Sequence, residues 1–221
     1  MALTKFNYNS FDVTSAASTA LGFNASANGF ATISPGSMTL IKTLTASSSA
    51  NLSFVDGSSS VVLDNTYPVY MFEFINIHPA TDGTNLTFNM SLDGGSNYNV
   101  TKTTTAFLAF HSENGGDSGL QYSAADDLAQ STGVQNITGL IGNDNDASAS
   151  GYLHLFNPSS TTFVKHFISR THCYRSSVNY NYDWYIGGYG NTTSAIDAIQ
   201  FKMASGNIDA GTIKLYGIKD S

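Results

Sequence analysis

The feature that most constrains the fold is a succession of short segments in which apolar and polar residues alternate, separated by turn-forming residues. Such alternation is typical of β-strands with one buried face, because successive side chains of a strand point to opposite faces. In residues 85–92 it predicts an inward face made of Leu86, Phe88, Met90 and Leu92. No segment sustains the period of an α-helix, so we expect an all-β chain.

The predicted strands are short and closely spaced. Residues 69–77 are almost continuously apolar and are predicted to be buried on both faces, while residues 123–128 make at most one helical turn. Short strands with frequent turns favour an antiparallel β-sandwich or jelly roll, and no internal repeat points to a propeller or solenoid. The expected strand ranges are 37–44, 51–55, 61–63, 69–77, 85–92, 97–100, 103–110, 134–141, 152–156, 161–169, 182–186, 198–203 and 212–216.

Turn signals predict how two pairs of these strands are connected. Asp93-Gly94-Gly95 is typical of a hairpin turn, which would return residues 97–100 and 103–110 alongside residues 85–92. At the C-terminus, Gly206-Asn207 is a turn pair between two alternating segments and predicts a hairpin-like ending. The inward side chains expected there are Ile199, Phe201, Met203, Ile213 and Leu215.

The chain is expected to divide into an N-terminal arm, residues 1–36, and a β-sandwich domain, residues 37–221. The first segment is rich in Ala, Ser and Asn and holds no long strand or helix period. It is interpreted as an extended arm that packs along its own domain or reaches onto a neighbour, with a partly ordered terminus as the alternative. Four spaced phenylalanines are its candidate anchors: Phe6, Phe11, Phe23 and Phe30.

Composition excludes several classes of function. Only 11% of the residues are charged, and the net charge of −7 argues against binding nucleic acid through its phosphates. One cysteine, Cys173, leaves no intrachain disulfide framework. The N-terminus lacks the pattern of a signal peptide, and no apolar run is long enough to span a membrane. We therefore expect synthesis in a cytoplasm, with lysis as the economical route by which a particle would leave it.

No pattern in the sequence predicts a catalytic site. Residues 116–119 are similar to the nucleophile motif of chymotrypsin-like proteases, and His172 lies in a segment similar to their histidine motif. However, His172 follows Ser118, and Leu120 stands where those proteases need a second glycine. The two glutamates, Glu73 and Glu113, do not form a credible acid pair for glycoside hydrolysis. We therefore expect a protein without enzymatic activity and without a cofactor.

Metal binding is also not expected. Residues 143–146 place two carboxylates and two amides in one loop, but Gly and Glu are absent from the positions that a helix-loop-helix calcium site requires. An irregular Ca²⁺ site and a solvated turn remain the two interpretations of that loop. The five histidines do not show the spacing of zinc ligands.

One segment combines aromatic and polar residues densely enough to be a candidate contact surface. Residues 174–189 contain the chain's single tryptophan, five tyrosines and an arginine. Tyrosine and tryptophan are favoured at interfaces and can stack on sugars. Three interpretations stay open: a contact between subunits, a core strand, or a contact with a ligand or receptor. The candidate residues are Tyr174, Arg175, Tyr180, Tyr182, Trp184, Tyr185 and Tyr189.

The last residues of the chain, 205–219, carry a resemblance to a known group of proteins. The segment reads SGNIDAGTIKLYGIK and resembles the C-terminus of virion structural proteins of tailed bacteriophages. Further similar segments extend the resemblance over about residues 37–219. They are residues 40–44, 72–74, 91–96 and 154–158.

This resemblance implies a non-enzymatic virion component with a β-sandwich fold. Such proteins commonly form homotrimers and contact the major capsid protein or other virion proteins. The leading expectation is a capsid decoration, or cement, protein that stabilises the shell as a surface oligomer. The alternative is a tail fibre, spike or other receptor-binding virion protein that recognises a host surface glycan. Either protein would reside in the virion, without nucleic-acid binding or membrane insertion.

Overall fold

The computed structural model describes residues 20–23, 26, 30–33, 36–175 and 178–219. Its regular structure consists of fourteen β-strands, and the described residues contain no α-helix. The strands are β1 (Ala20–Phe23), β2 (Phe30–Ile33), β3 (Met38–Thr45), β4 (Leu52–Val55), β5 (Val69–Pro79), β6 (Leu86–Ser91), β7 (Lys102–Ser112), β8 (Ser118–Tyr122), β9 (Gln135–Asn136), β10 (Ala149–Phe156), β11 (Lys165–Arg175), β12 (Tyr180–Gly190), β13 (Ala198–Met203) and β14 (Ile208–Ile218).

The chain divides into two units, Met1–Thr39 and Leu40–Ser221. In the first unit, β1 and β2 form a two-stranded antiparallel sheet in which Phe23 lies opposite Phe30. The described residues contain two further sheets. One has eight strands in the order β3-β14-β5-β10-β11-β12-β7-β8, and the other has four in the order β4-β13-β6-β9.

Neighbouring strands in both large sheets run antiparallel. An aromatic core joins the two sheets. The ring of Phe201 on β13 lies 5.2 Å from the rings of both Phe72 and Phe74 on β5, and Phe88 on β6 lies 4.9 Å from Phe167 on β11. All five side chains are buried. The prediction of an all-β, antiparallel fold is confirmed, and the two sheets around one core are consistent with a β-sandwich.

Neither predicted hairpin pairs two strands of one sheet, because in each case the chain crosses from one sheet to the other. Residues 97–100 do return beside β6, where Val100 N donates to the carbonyl of Met90, but residues 103–110 do not. β6 belongs to the four-stranded sheet, whereas β7 pairs with β12 and β8 in the eight-stranded sheet. In the same way, β13 and β14 lie in different sheets. Alternation predicts which face a strand buries, but it does not predict the strand with which it pairs.

Two predictions of burial also need correction. Along β5 the side chains alternate between buried and partly exposed, so this strand is buried on one face only. Its outward residues include the apolar Val69, Met71 and Ile75 together with the charged Glu73. Leu92 is 41% exposed, because β6 ends at Ser91 and Leu92 already belongs to the following turn.

Several predicted boundaries differ from the observed ones. Residues 61–63 and 97–100 lie outside strands, although Val61, Leu63 and Val100 are buried in the core. Residues 123–128 form a turn without a helix. Of the predicted strand 134–141, Gln135–Asn136 forms a strand and Ile141 makes an isolated bridge with Thr84. β8 lies in a stretch where the sequence showed few strand signals. The described part of the chain has no helix that is both long and apolar enough to cross a membrane.

Candidate functional site

The aromatic segment of residues 174–189 forms the end of β11 and most of β12, and its side chains are divided between two faces. In the β11–β12 register, Arg175 lies opposite Tyr180 and Tyr174 lies opposite Asn181. Because successive residues alternate between faces, one group points towards the four-stranded sheet and the other points outward. The inward group is Arg175, Tyr180, Tyr182 and Trp184, and the outward group is Tyr174, Tyr185 and Tyr189. The single cluster predicted from the sequence is therefore two surfaces.

The outward group belongs to a row of side chains that crosses the eight-stranded sheet. Tyr152, Arg170, Tyr185, Phe107 and Tyr122 are successive register partners on β10, β11, β12, β7 and β8. The rings of Tyr185 and Phe107 are stacked, with centroids 4.8 Å apart and an interplanar angle of 2°. The guanidinium of Arg170 lies 5.1 Å from the centre of the Tyr185 ring, within cation–π range.

An ion pair fixes the arginine of this row. Arg170 donates from Nε and Nη2 to the two carboxylate oxygens of Asp183, at 3.1 and 2.7 Å. The Tyr185 hydroxyl donates to the same carboxylate at 2.9 Å. The hydrogen bond from Arg170 lowers the pKa of the Asp183 carboxyl, so the pair stays ionised at neutral pH. Its charges are balanced locally, which leaves the surrounding surface close to neutral.

The outer face is also apolar to an extent unusual for a solvated surface. Leu120, Tyr122, Ile168, Phe107 and Tyr152 are 73%, 55%, 53%, 41% and 37% exposed. Contiguous apolar patches of this kind mark interaction surfaces, and aromatic residues and arginine are enriched in them. We call these five side chains, together with Arg170 and Tyr185, the outer aromatic face. None of the five was singled out from the sequence, because they become neighbours only through strand pairing.

The inward group lines a groove on the opposite face of β12, β7 and β8. Three adjoining cavities form it. Tyr180 and Asp117 line both the first and the second cavity, while Tyr182 and Gln121 line both the second and the third. The third cavity, of about 300 Å³, reaches Trp184. We call this surface the inner groove.

Aromatic rings form the middle of the inner groove. Tyr180 and Tyr182 are stacked, with centroids 5.9 Å apart and an interplanar angle of 15°, and the Phe110 ring lies 5.8 Å from Tyr180. The Tyr180 hydroxyl donates to Asp117 at 2.8 Å, and this hydrogen bond raises the pKa of the tyrosine. Near the other end, Asp126 accepts hydrogen bonds from Ser123 and Asn136. The groove therefore joins apolar ring faces to oriented hydrogen-bonding groups.

Two buried nitrogen atoms at the third cavity have no hydrogen-bond partner among the described residues. They are Nε1 of Trp184 and Nε of Arg175, and both residues line the cavity. Buried polar atoms are nearly always paired, so an unpaired donor calls for an explanation. Each nitrogen has less than 1 Å² of exposed surface, so neither atom opens directly onto the groove.

The residues considered for catalysis do not come together. Ser118 lies on β8 and His172 on β11, with β12 and β7 between these strands. Glu73 lies on β5, where it accepts a hydrogen bond from Tyr216 and pairs with Lys214 at 3.9 Å. Glu113 lies in the loop between β7 and β8.

The loop of residues 143–146 is exposed and contains a turn in which Ala147 N donates to the carbonyl of Asp144. Within the described ranges, no group of three or more His, Cys, Asp or Glu side chains is placed to hold a metal ion.

Two of the four candidate arm anchors can be located. Phe23 on β1 and Phe30 on β2 stack on one another, with ring centroids 5.2 Å apart and an interplanar angle of 21°. Both are exposed. Phe6 and Phe11 lie outside the described residues.

Comparison with known proteins finds no match among protein-family models, curated proteins or solved structures.

Proposed function

We propose that this chain is a non-enzymatic structural protein of a tailed-bacteriophage virion, and that it decorates the capsid as a surface homotrimer that stabilises the shell. Its partners are further copies of itself and the major capsid protein. It is made in the host cytoplasm and resides in the virion. The resemblance of residues 37–219 to virion structural proteins of tailed bacteriophages carries the proposal. The outer aromatic face, an exposed apolar surface of the eight-stranded sheet, supports its self-association.

The proposal includes a jelly-roll connectivity for the sandwich. Eight strands form its framework: β3, β4, β5, β6, β9, β10, β13 and β14. If these are numbered 1 to 8 in chain order, the neighbours β3-β14-β5-β10 of the larger sheet have the order 1-8-3-6. The smaller sheet, β4-β13-β6-β9, has the order 2-7-4-5. This order of two Greek keys supports the jelly roll, a fold used by viral capsid domains. The pairs β7–β8 and β11–β12 extend one sheet as insertions.

The outer aromatic face is assigned to contacts between copies of the same chain. Its ionic groups are paired within the chain, as Arg170 is with Asp183 and Lys214 with Glu73, so it offers little to a strongly charged partner. It continues to β8, the last strand in the sheet order, whose five residues are all exposed and carry no charge. Uncharged edge strands favour association with another chain.

The N-terminal arm, residues 1–36, completes the proposed attachment. Part of this segment lies outside the described residues, and the division of the chain at Thr39 supports treating it separately from the sandwich. We assign it to contacts with the capsid lattice. An extended arm would add contact area there without any change in the fold of the sandwich.

Sedimentation equilibrium of the purified protein tests the self-association. The wild type is expected to be a trimer, and Leu120→Asp should be a folded monomer, because a charge buried in an apolar interface is strongly unfavourable. Phe163→Asp is the matched control, since Phe163 is equally exposed but lies in the loop before β11. A monomeric wild type, or a trimeric Leu120→Asp variant, would contradict the proposal.

The inner groove favours a second candidate function, which is a receptor-binding protein of the phage tail that recognises a host surface glycan. An aromatic groove with polar ends is a common form of sugar site. The two functions predict different positions in the virion, so locating the protein on the particle distinguishes them.

A further inference from the structure

We infer that the inner groove is a binding site for an uncharged oligosaccharide. The inference rests on the second candidate function and deepens it by naming the class of ligand. It is drawn from the shape of the groove and from the charges at its ends.

The shape fits an extended ligand more closely than a compact one. The three cavities adjoin in a line and share lining residues at each junction, so the groove is continuous from Asn114 to Trp184. Tyr180 and Tyr182 present their stacked rings along its middle. Such rings offer flat apolar surfaces, and a hexose has an apolar face of matching width.

The charges favour an uncharged ligand with many hydroxyl groups. Glu113 and Asp117 line the first cavity and Asp126 lines the third, whereas Arg175 is the one cation among the described residues that line the three. Carboxylates accept hydrogen bonds from hydroxyl groups, but they repel a polyanionic glycan. The net charge of −7 adds to that repulsion.

Exposed polar side chains along the groove supply hydrogen bonds for a sugar. Gln121, at the junction of the second and third cavities, is exposed, and its amide can both donate a hydrogen bond to a hydroxyl group and accept one from it. Asp117 and Asp126 can accept further hydrogen bonds from hydroxyl groups.

The groove is built mainly on the two inserted strand pairs. Tyr180, Tyr182 and Trp184 lie on β12, and Phe110 and Gln121 lie on β7 and β8. The eight strands of the proposed jelly roll are complete without these pairs, so the insertions are free to carry a separate function.

The position of the tryptophan makes a direct test available. Trp184 is the chain's single tryptophan, so its fluorescence reports on the third cavity alone. The full chain would be titrated with uncharged hexasaccharides of glucose, galactose, mannose and N-acetylglucosamine, and with hexagalacturonate as the anionic probe. At least one uncharged probe should shift the emission saturably, with a Kd below about 1 mM, and calorimetry should give the same Kd.

Two tyrosines on β12 provide a matched pair of variants. Both lie on β12 and are partly exposed, but Tyr180 lines the groove, whereas Tyr189 faces outward and is not part of the outer aromatic face. Tyr180→Ala should weaken binding at least about tenfold, while Tyr189→Ala leaves it unchanged. If Tyr180→Ala fails to fold, Gln121→Ala replaces it, because Gln121 is exposed on β8.

Three results would overturn the inference. They are no saturable binding of any uncharged probe by fluorescence and calorimetry, tighter binding of hexagalacturonate, or equal losses in the Tyr180 and Tyr189 variants. None of these results bears on the trimer or on the position of the protein in the virion, so the proposed function is tested separately.

Discussion

At the scale of single residues, Lys102 is in the most demanding environment. It is fully buried on β7, and its ammonium group donates to the carbonyl of Val100 at 2.8 Å and to Oδ1 of Asn89. Both acceptors are neutral, so no carboxylate balances its charge. Burial lowers the pKa of Lys102 to about 8. The charged lysine therefore costs folding free energy at neutral pH.

The lowered pKa predicts an unusual pH dependence of stability. Below pH 8 the lysine is charged in both the folded and the unfolded chain, so the free-energy cost of burying its charge does not change with pH. Between pH 8 and the ordinary lysine pKa of 10.5, the unfolded chain holds the proton more strongly than the folded chain does. Stability therefore rises with pH across this window, by up to about 3 kcal/mol. Urea unfolding of the wild type should show this rise relative to Lys102→Met. If the unfolding free energies of the two proteins changed with pH in parallel, burial would not lower the pKa of Lys102.

At the scale of strands, a glycine on β10 sets how closely this strand approaches β11. Gly151 has a φ of +154°, and a Cβ there would lie 2.6 Å from Cα of Thr171 and would collide with the carbonyl oxygen of Arg170. Gly151→Ala should lower the free energy of unfolding by at least about 2 kcal/mol. The measurement is chemical denaturation.

Gly187 on β12 is the control for this prediction. The nearest atom to a Cβ at that position is 3.8 Å away, so the methyl group fits without a clash. Gly187→Ala should change stability by less than about 1 kcal/mol, in the stabilising direction. Equal losses in the two variants would mean that the loss of glycine, rather than the close approach of β10 to β11, determines the result.

The docking of one sheet on the other depends on Phe201. Its ring lies between 5.2 and 6.3 Å from the rings of four other phenylalanines, on β4, β5 and β6. Phe201→Ala should cost about 3 to 5 kcal/mol by leaving a cavity between the sheets. Phe163→Ala, at a position 67% exposed, should cost less than about 0.5 kcal/mol. Thermal unfolding measures the difference. Similar melting temperatures for the two variants would contradict the prediction.

Local alternation was enough to predict many of the strands. The bounds of β13 agree with the predicted range, and Leu86, Phe88 and Met90 are buried as expected. Pairing was not predictable, because it depends on contacts between residues far apart in the sequence. For the same reason, the sequence predicts one candidate surface in residues 174–189 and does not point to Asp117, Gln121 or Phe107. These three residues join the inner groove and the outer aromatic face only because β7 and β8 pair beside β12.

At the scale of the whole molecule, the arm and the sandwich are expected to be separable. Deletion of residues 1–36 should leave the sandwich folded, because β3 begins at Met38, after the deleted segment. The same deletion should abolish attachment to phage particles. Circular dichroism and co-sedimentation with particles measure the two effects. A truncated protein that still binds particles like the full chain would remove the arm from the attachment mechanism.

The central claim, that the chain decorates a phage capsid, is tested most directly by locating it on the particle. Purified virions would be labelled with gold-conjugated antibodies raised against the protein and viewed by electron microscopy. The account predicts label spread over the surface of the head. Label confined to the tail or its tip would contradict the decoration role and favour receptor binding, and unlabelled particles would contradict a place in the virion.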